Sequence, residues 1–177
     1  MRFSRLLPLA GLGLVVGADQ ALAASDPVPS PKPKPSVDCS KKSERNNPAC
    51  KQYRDEVHDD AVYATAYWLA KSGKYADALS VLKQARNASD PRILNYTGFA
   101  TRKLGDVDAA LGYYTRALEL NPNYTVARAY MGEAFLQKGD VARAKEQLSE
   151  IERRCGVACS EHAELAGEIA KFEAGRG

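Results

Sequence analysis

The stretch that decides the fold is PRILNYTGFATRKLGDVDAALGYYTRALELNP, residues 91–122. Its centre, LGDVDAAL at 104–111, is preceded by SGKYADAL at 72–79 and followed by KGDVARAK at 138–145, so one motif recurs after 32 and then 34 residues. Amphipathic helical segments separated by short Gly-Asp or Asn-Pro turns lie between these copies. A fixed period in this range indicates stacked helix-turn-helix units rather than a single globular core.

Residues 91–122 resemble a tetratricopeptide repeat almost throughout. The family pattern asks for a large apolar residue, a small residue, a turn, an alanine, an aromatic residue, another alanine and a closing proline. These are Leu94, Gly98, Gly105-Asp106, Ala110, Tyr114, Ala117 and Pro122. Small residues allow two antiparallel helices to approach closely, and a proline ends the second helix. The resemblance implies an all-α fold, a right-handed α-solenoid of three such repeats with a C-terminal capping helix.

The repeats are expected at about 59–90, 91–124 and 125–158, within a repeat region of 51–158. The flanking units match less fully: the first has Val62, Ala66, Ala78, Leu82 and Ala85, and the third has Gly132, Phe135, Ala144, Leu148 and Ile151. Arg128 stands where the third unit should carry a bulky apolar residue, which weakens the expected packing of that unit's first helix. Asp90 and Pro91 form a helix-start signal.

Residues 159–177 are expected to form the capping helix. Leu165, Ile169 and Phe172 recur at helical spacing and make one apolar stripe, while glutamates and a lysine occupy the other positions. A helix with one apolar and one charged face suits the end of a solenoid.

The N-terminus has the pattern of a secretory signal peptide over residues 1–23. Arg2 and Arg5 precede an apolar run at 6–18 that is too short to span a membrane, and Ala21-Leu22-Ala23 offers a cleavage site. Cleavage after Ala23 would leave a periplasmic or secreted chain without direct membrane insertion. An uncleaved anchor is the alternative.

Residues 24–50 are predicted to be a linker. Prolines at 27, 29, 31, 33 and 35 favour an extended strap, and a polar loop closed by Cys39 and Cys50 is expected to lack regular structure. In an exported chain the four cysteines should be oxidised. Three pairings are possible, and local pairing of Cys39 with Cys50 and of Cys155 with Cys159 is the simplest. The second pair would brace the corner before the cap, with Gly156 ending one helix and Ser160 capping the next.

Charge and motifs disfavour several function classes. Without the signal peptide the chain has 23 basic and 21 acidic side chains, from 25 less Arg2 and Arg5 and from 22 less Asp19, and no basic patch of the kind that nucleic-acid binding requires. No phosphate loop, HExxH motif or nucleophile elbow occurs. No catalytic residue, cofactor or metal is therefore expected.

The histidines and cysteines suggest two metal sites and one redox site, and the sequence disfavours all three. His58, Asp59 and Asp60 are consecutive, so on a helix they point apart, and we expect a solvated helix end there. Zinc at Cys155, Cys159 and His162, with Glu161 or Glu164 as fourth ligand, is disfavoured by the spacing and by oxidation. A redox role is disfavoured because the predicted place of Cys155 at a helix C-terminus, pointing to the apolar side, does not lower a thiol pKa.

The resemblance also implies a groove lined by the first helix of each repeat. Its inward positions map to Tyr63, Tyr67, Arg92, Asn95, Phe99, Arg102, Ala129 and Glu133. Aromatic and arginine side chains suit peptide binding, although the rings could equally fill the packing between repeats.

We therefore expect a non-enzymatic protein–protein interaction scaffold that binds a protein or peptide in this groove. Its expected compartment is the bacterial envelope, since the sequon at Asn95 would place a eukaryotic glycan inside the groove. One alternative is a thiol-disulfide or metal-handling factor that uses Cys155 and Cys159. Another is an accessory factor for the assembly of an envelope complex.

Overall fold

A computed structural model describes residues 32–175, which contain seven α-helices and no strand. The helices are α1 Pro48–Lys71, α2 Tyr75–Leu82, α3 Pro91–Lys103, α4 Val107–Leu120, α5 Thr125–Gln137, α6 Val141–Cys155 and α7 Ser160–Ala174. Consecutive helices pack as the hairpins α1–α2, α3–α4 and α5–α6, with α7 against α5 and α6. The predicted all-α solenoid of helical repeats is confirmed. The signal peptide predicted for residues 1–23 and the start of the linker lie outside the described residues.

The tight turn inside each hairpin is built by the recurring glycine. Gly73, Gly105 and Gly139 have φ values of 74°, 102° and 78°, a region that side chains with a Cβ rarely adopt. In the second and third hairpins the next residue, Asp106 or Asp140, accepts a hydrogen bond from a backbone N–H in the first turn of the following helix. The motif therefore ends one helix and starts the next.

The start of α1 differs from the expected linker. Asn47 caps the helix by accepting the N–H of Ala49 at 3.0 Å, and Pro48 is its first residue. A short 3-10 turn, Lys42–Glu44, lies before it. The expectation of a loop without regular structure up to Cys50 was wrong, because Asn47 and Pro48 start the helix before Cys50, which is buried in its first turn and bonded to Cys39.

Asp59 has a structural role that the sequence reading missed. It lies in the middle of α1, is only 3% exposed, and accepts the N–H groups of Arg86 and Asn87 at 2.8 Å each. Its other neighbour is the Nδ1 atom of His58 at 3.0 Å. The expected solvated helix end was wrong, since this carboxylate organises the loop between α2 and α3 from 27 residues away.

Arg128 does not disturb the third hairpin. Its guanidinium donates to the carbonyl oxygen of Pro122 at 2.9 Å and to the side chain of Gln147 at 3.2 Å, while Tyr130 and Phe135 of the same helix are buried. The arginine thus ties α5 to the preceding loop and to α6, and the expected weakening of the packing is not seen.

The corner between α6 and α7 contains the second disulfide, Cys155–Cys159, with a Cα–Cα distance of 5.9 Å. Gly156 has φ of 80° directly after α6, as its predicted capping role requires. Two details of the prediction were wrong. Cys155 is exposed rather than turned to the apolar side, and α7 begins at Ser160 itself, so that Cys159 is its N-cap. Within residues 32–175 no helix has the length and apolar character needed to cross a membrane.

Candidate functional site

A continuous row of aromatic rings links the first helices of the three hairpins. Tyr63 and Tyr67 of α1 lie 5.4 and 5.6 Å, between ring centroids, from Tyr96 of α3. Phe99, also on α3, lies 4.8 Å from Tyr130 of α5. We call these five residues the aromatic row. Edge-to-face and tilted contacts at such distances stabilise packing between repeats.

Several predicted groove residues belong to this row or border it. Tyr63, Tyr67, Asn95, Phe99, Arg102 and Ala129 are buried, whereas Arg92 and Glu133 are half-buried. The rings pack against one another, so inter-repeat packing, one of the two interpretations left open, is a role they do have. Their use in partner binding stays a prediction.

Sequence reasoning missed Tyr96 and Tyr130, which are central to the row. A signal for them exists, because each stands two residues before the small residue of its helix, Gly98 or Gly132, and the two tyrosines are one repeat period apart. The corresponding residue of α1 is Ala64, two before Ala66.

At one end of the row, Arg92 joins α1 to α3. Its guanidinium contacts Asp90 at 2.6 Å and Asp60 at 2.8 Å, and it lies over the Tyr63 ring. The hydrogen bond to Asp90 is the main reason that the pKa of Arg92 is raised despite partial burial, and Asp60 adds to it. This charged cluster borders a cleft of about 590 Å³ that also reaches Lys51 and Asp55 near the start of α1.

In the middle, Arg102 joins α3 to α5 through Glu133, with 2.6 Å between Nη2 and Oε2. Burial disfavours the charge on Arg102, but the Glu133 carboxylate and the Tyr114 hydroxyl outweigh it, so its pKa is raised. Lys103, the next residue, is exposed and lies over the Phe99 ring. Its pKa is lowered by partial burial and by Arg102.

At the other end, α7 adds carboxylates to the same face. Leu165 packs on Gly132 of α5 so closely that a Cβ at position 132 would lie 2.6 Å from its side chain. This approach brings Glu164 near Glu133, the residue that follows Gly132. Burial, then Glu133 and Glu161, raise the pKa of Glu164 to about 7, while Lys71 of α1 opposes the shift. The face thus carries charges of both signs along its length, above the buried rings of the aromatic row.

The corner disulfide bears on the alternative chemistries. Cys155, Cys159 and Glu161 place possible ligand atoms within 4.8 Å of one another, but both sulfur atoms are bonded to each other, so neither is available as a thiolate. His162 is not part of this group. If the bond were reduced, Cys159 at the N-terminus of α7 would be the thiol favoured by the helix dipole, rather than Cys155.

Two tetratricopeptide repeat family models match this chain, one over residues 63–125 and the other over residues 102–154. Together they span residues 63–154, which is more than half of the 177 residues and includes α3, α4, α5 and nearly all of α6. The matched range contains every ring of the aromatic row.

A curated relative is the Photosystem I assembly protein Ycf3 of Acaryochloris marina (strain MBIC 11017). It is 33% identical over 112 residues, which is 62% of this chain and 63% of that protein, so the chain spans less than two thirds of its relative.

Solved structures show the same fold at lower identity. The Yersinia enterocolitica type III secretion chaperone SycD, in complex with a peptide of the translocator YopD, has a TM-score of 0.55 at 24% identity over 65% of this chain and 89% of its own. The first TPR domain of human RPAP3 has a TM-score of 0.58 at 18% identity over 67% of this chain and 94% of its own. PcrH, in complex with the chaperone binding region of PopD, has a TM-score of 0.56 at 19% identity over 67% and 92%.

Proposed function

Because this chain belongs to the tetratricopeptide repeat family, we propose that it is a non-enzymatic scaffold that binds a segment of a partner protein along the face of α1, α3 and α5. The observation that carries this proposal is the set of solvent-accessible charged side chains on one face, Arg92, Lys103, Glu133 and Glu164, which the buried aromatic row holds in place across the helices. Charges ordered along such a face orient a partner of complementary charge. The SycD and PcrH structures, which hold segments of other proteins on a similar fold, support it.

The charges of this face indicate what kind of segment it would take. Lys103 and Arg92 lie on α3, and the carboxylates of Glu133 and Glu164 lie toward α7. A segment with acidic side chains opposite α3 and basic side chains opposite Glu133 and Glu164 would complement this order of charges. A peptide C-terminus held by a basic clamp is not the expected ligand, since Tyr63 and Tyr67 stand in the first unit where such a clamp needs lysine and asparagine.

The test is a peptide-display selection on the purified chain, followed by affinity measurement for the selected peptides. Lys103→Glu and Glu164→Gln should each weaken binding by about fivefold or more, roughly 1 kcal/mol. The matched controls, Lys83→Glu at the end of α2 and Glu119→Gln on α4, are exposed and should leave affinity unchanged. Circular dichroism verifies that all four variants fold. Peptides that are insensitive to both groove variants would refute the assignment of this face.

We also propose that the protein works in the bacterial envelope. Support comes from the signal-peptide pattern of residues 1–23 and from the two disulfides, which suit an oxidising compartment. Cell fractionation should recover the protein in the periplasm or medium, with a mass that corresponds to a start at Ala24 and four oxidised cysteines. Recovery of an unprocessed chain with free thiols in the cytosol would contradict this location.

A second candidate function is that of an accessory factor for the assembly of an envelope complex. The observation that favours it is the similarity to a protein named for photosystem assembly, which this chain matches over only 63% of that protein's length. Deletion of the gene should then reduce one multi-subunit envelope complex on native gels. The wild-type chain should restore that complex, and the Lys103→Glu variant should not.

A further inference from the structure

The outer side of α1 is an apolar helix face that the rest of the described chain leaves uncovered. Trp68 is 60% exposed and Val57 is 43% exposed, while Ala61 is exposed and Ala64 half-buried. At 100° per residue these four side chains fall within about 60° of one another on the helix. We call them the end face.

The end face has the register of a contact between repeats. Ala61, Ala64 and Trp68 stand five before, two before and two after Ala66, the small residue of α1. The corresponding small residues are Gly98 in α3 and Gly132 in α5. The residues at the same positions of α3 and α5 are at most 4% exposed: Ile93, Tyr96, Ala100, Ala127, Tyr130 and Ala134. In α3 and α5 these positions pack against the preceding hairpin. Nothing in residues 32–175 precedes α1 in this way.

The other end of the solenoid is closed, which restricts how a second copy could cover the end face. There α7 buries Leu165 and Ile169 against the third hairpin and turns Lys171 and Glu173 to solvent. An apolar face stacked on that charged surface would gain little. The other exposed large apolar side chains lie apart from one another: Leu104 and Val157 are in separate turns, and Tyr113 and Leu120 of α4 stand two turns apart with the exposed Arg116 between them. The end face is therefore the continuous apolar strip that a second copy offers, and a contact between copies is expected to be two-fold symmetric.

The end face is also complementary to itself. Its order along α1 is large, small, small, large, at 57, 61, 64 and 68, and it is symmetric about the midpoint between residues 62 and 63. In an antiparallel pair of such helices, Trp68 of one copy meets Val57 of the other at each end of the contact, and the alanines lie between these two pairs. The same register places the exposed Arg54 opposite Lys71 of the other copy, so added salt should strengthen the contact by screening this repulsion.

From this register and symmetry, we propose that the end face is a contact between two copies of this chain, formed by antiparallel pairing of α1 with α1. The area limits its strength. The 18 residues from 54 to 71 span about 27 Å, and a strip about 10 Å wide is well below the ~800 Å² per partner of a stable interface. The dimer is therefore weak and its population depends on protein concentration. This contact lies outside the partner-binding face, so it stands or falls independently of the proposed function.

The primary test is sedimentation velocity on the full chain from about 5 to about 500 µM, where mass action makes a weak dimer visible. Trp68 is the single tryptophan, so its emission should move to shorter wavelength over the same range. Trp68→Glu should raise the dissociation constant by at least about tenfold. The matched control Leu104→Glu, at a residue that is 55% exposed beyond the end of α3, should not change it.

A cross-linking experiment tests the geometry of the pair. No cysteine of the chain is free, so Ala61→Cys introduces one reactive thiol close to the expected symmetry axis. A short bismaleimide should link two Ala61→Cys chains and should not link chains with the control Thr115→Cys on the exposed side of α4.

Three results would overturn the proposal. One is a monomer over the whole concentration range. This result overturns the proposal both if acrylamide quenches Trp68 and if residues 1–31 of the same chain shield it. Another is equal sensitivity of the dimer to Trp68→Glu and Leu104→Glu. The third is cross-linking at position 115 as efficient as at position 61.

Discussion

The packing of α7 on α5 can be tested by adding one methyl group at Gly132. In Gly132→Ala the new Cβ would lie 2.6 and 2.7 Å from the two terminal carbons of Leu165, far inside the ~3.5–4.0 Å of an ordinary carbon contact. Leu165 is only 1% exposed, so it has little room to move away. Overpacking of this kind lowers the free energy of unfolding by about 1–3 kcal/mol, and the higher helix propensity of alanine offsets about 1 kcal/mol of that loss. We expect a net loss of about 1 kcal/mol in the free energy of unfolding.

A double-mutant cycle isolates the contact from the propensity term. Leu165→Ala alone should cost about 2–5 kcal/mol because it leaves a cavity. In that background Gly132→Ala has no clash left and should stabilise the protein by up to about 1 kcal/mol. The change of sign corresponds to a coupling free energy of about 2 kcal/mol between the two sites. The matched control is Gly167→Ala in α7, where no atom lies within 4 Å of the new Cβ and only the propensity gain is expected.

The assay is urea unfolding followed by circular dichroism, with the disulfides intact and with equal m-values verified across the set. The reasoning fails if Gly132→Ala stabilises the wild-type protein as much as Gly167→Ala does. That result would mean that α7 does not press on α5 at this point and does not hold Glu164 beside the groove.

Three further predictions concern stability. Asp59→Ala removes the buried carboxylate that accepts two backbone N–H groups of the loop before α3 and should cost about 2 kcal/mol in urea unfolding. Between its usual pKa of 4.5 and about 7 in the folded state, Glu164 binds more protons folded than unfolded, so stability should fall as pH rises through this window. Glu164→Gln should remove that slope and stabilise the protein at about pH 8 by up to ~1 kcal/mol after solvent screening. Replacing Cys39 and Cys50 by serine should cost about 3 kcal/mol, against about 2 kcal/mol for the shorter α6–α7 disulfide, as measured by thermal unfolding.

The helices and their order were predictable because the signals that start and end them are local. Gly105-Asp106 and Gly139-Asp140 end one helix and cap the next with atoms a few residues apart in the chain. The stripe of Leu165, Ile169 and Phe172 likewise defined the buried side of α7. In a solenoid each unit packs on its neighbours in sequence, so a repeated local pattern already implies the architecture.

The candidate site was predictable only in part, because its composition depends on contacts between repeats. Position mapping found Arg102 and Glu133, but their pairing across 31 residues, and the addition of Glu164 from the cap, follow from how α3, α5 and α7 approach one another. Tyr96 and Tyr130 were missed because the family pattern does not single out that position. Asp59 was misjudged because the groups that donate to its carboxylate are backbone N–H groups 27 and 28 residues away, which no local pattern reports.

The sequence by itself determined a helical repeat protein and the turns between its helices, since these depend on backbone preferences within a few residues. Only the tertiary structure decided which side chains meet: the rings that form one row, the carboxylates that gather at α7, and the exposure of Trp68. The reason is that helical periodicity places a residue on a face of its helix, whereas burial depends on whether another helix lies opposite that face. The same register is buried in α3 and α5 and open in α1, because α1 has no preceding hairpin in the described part of the chain.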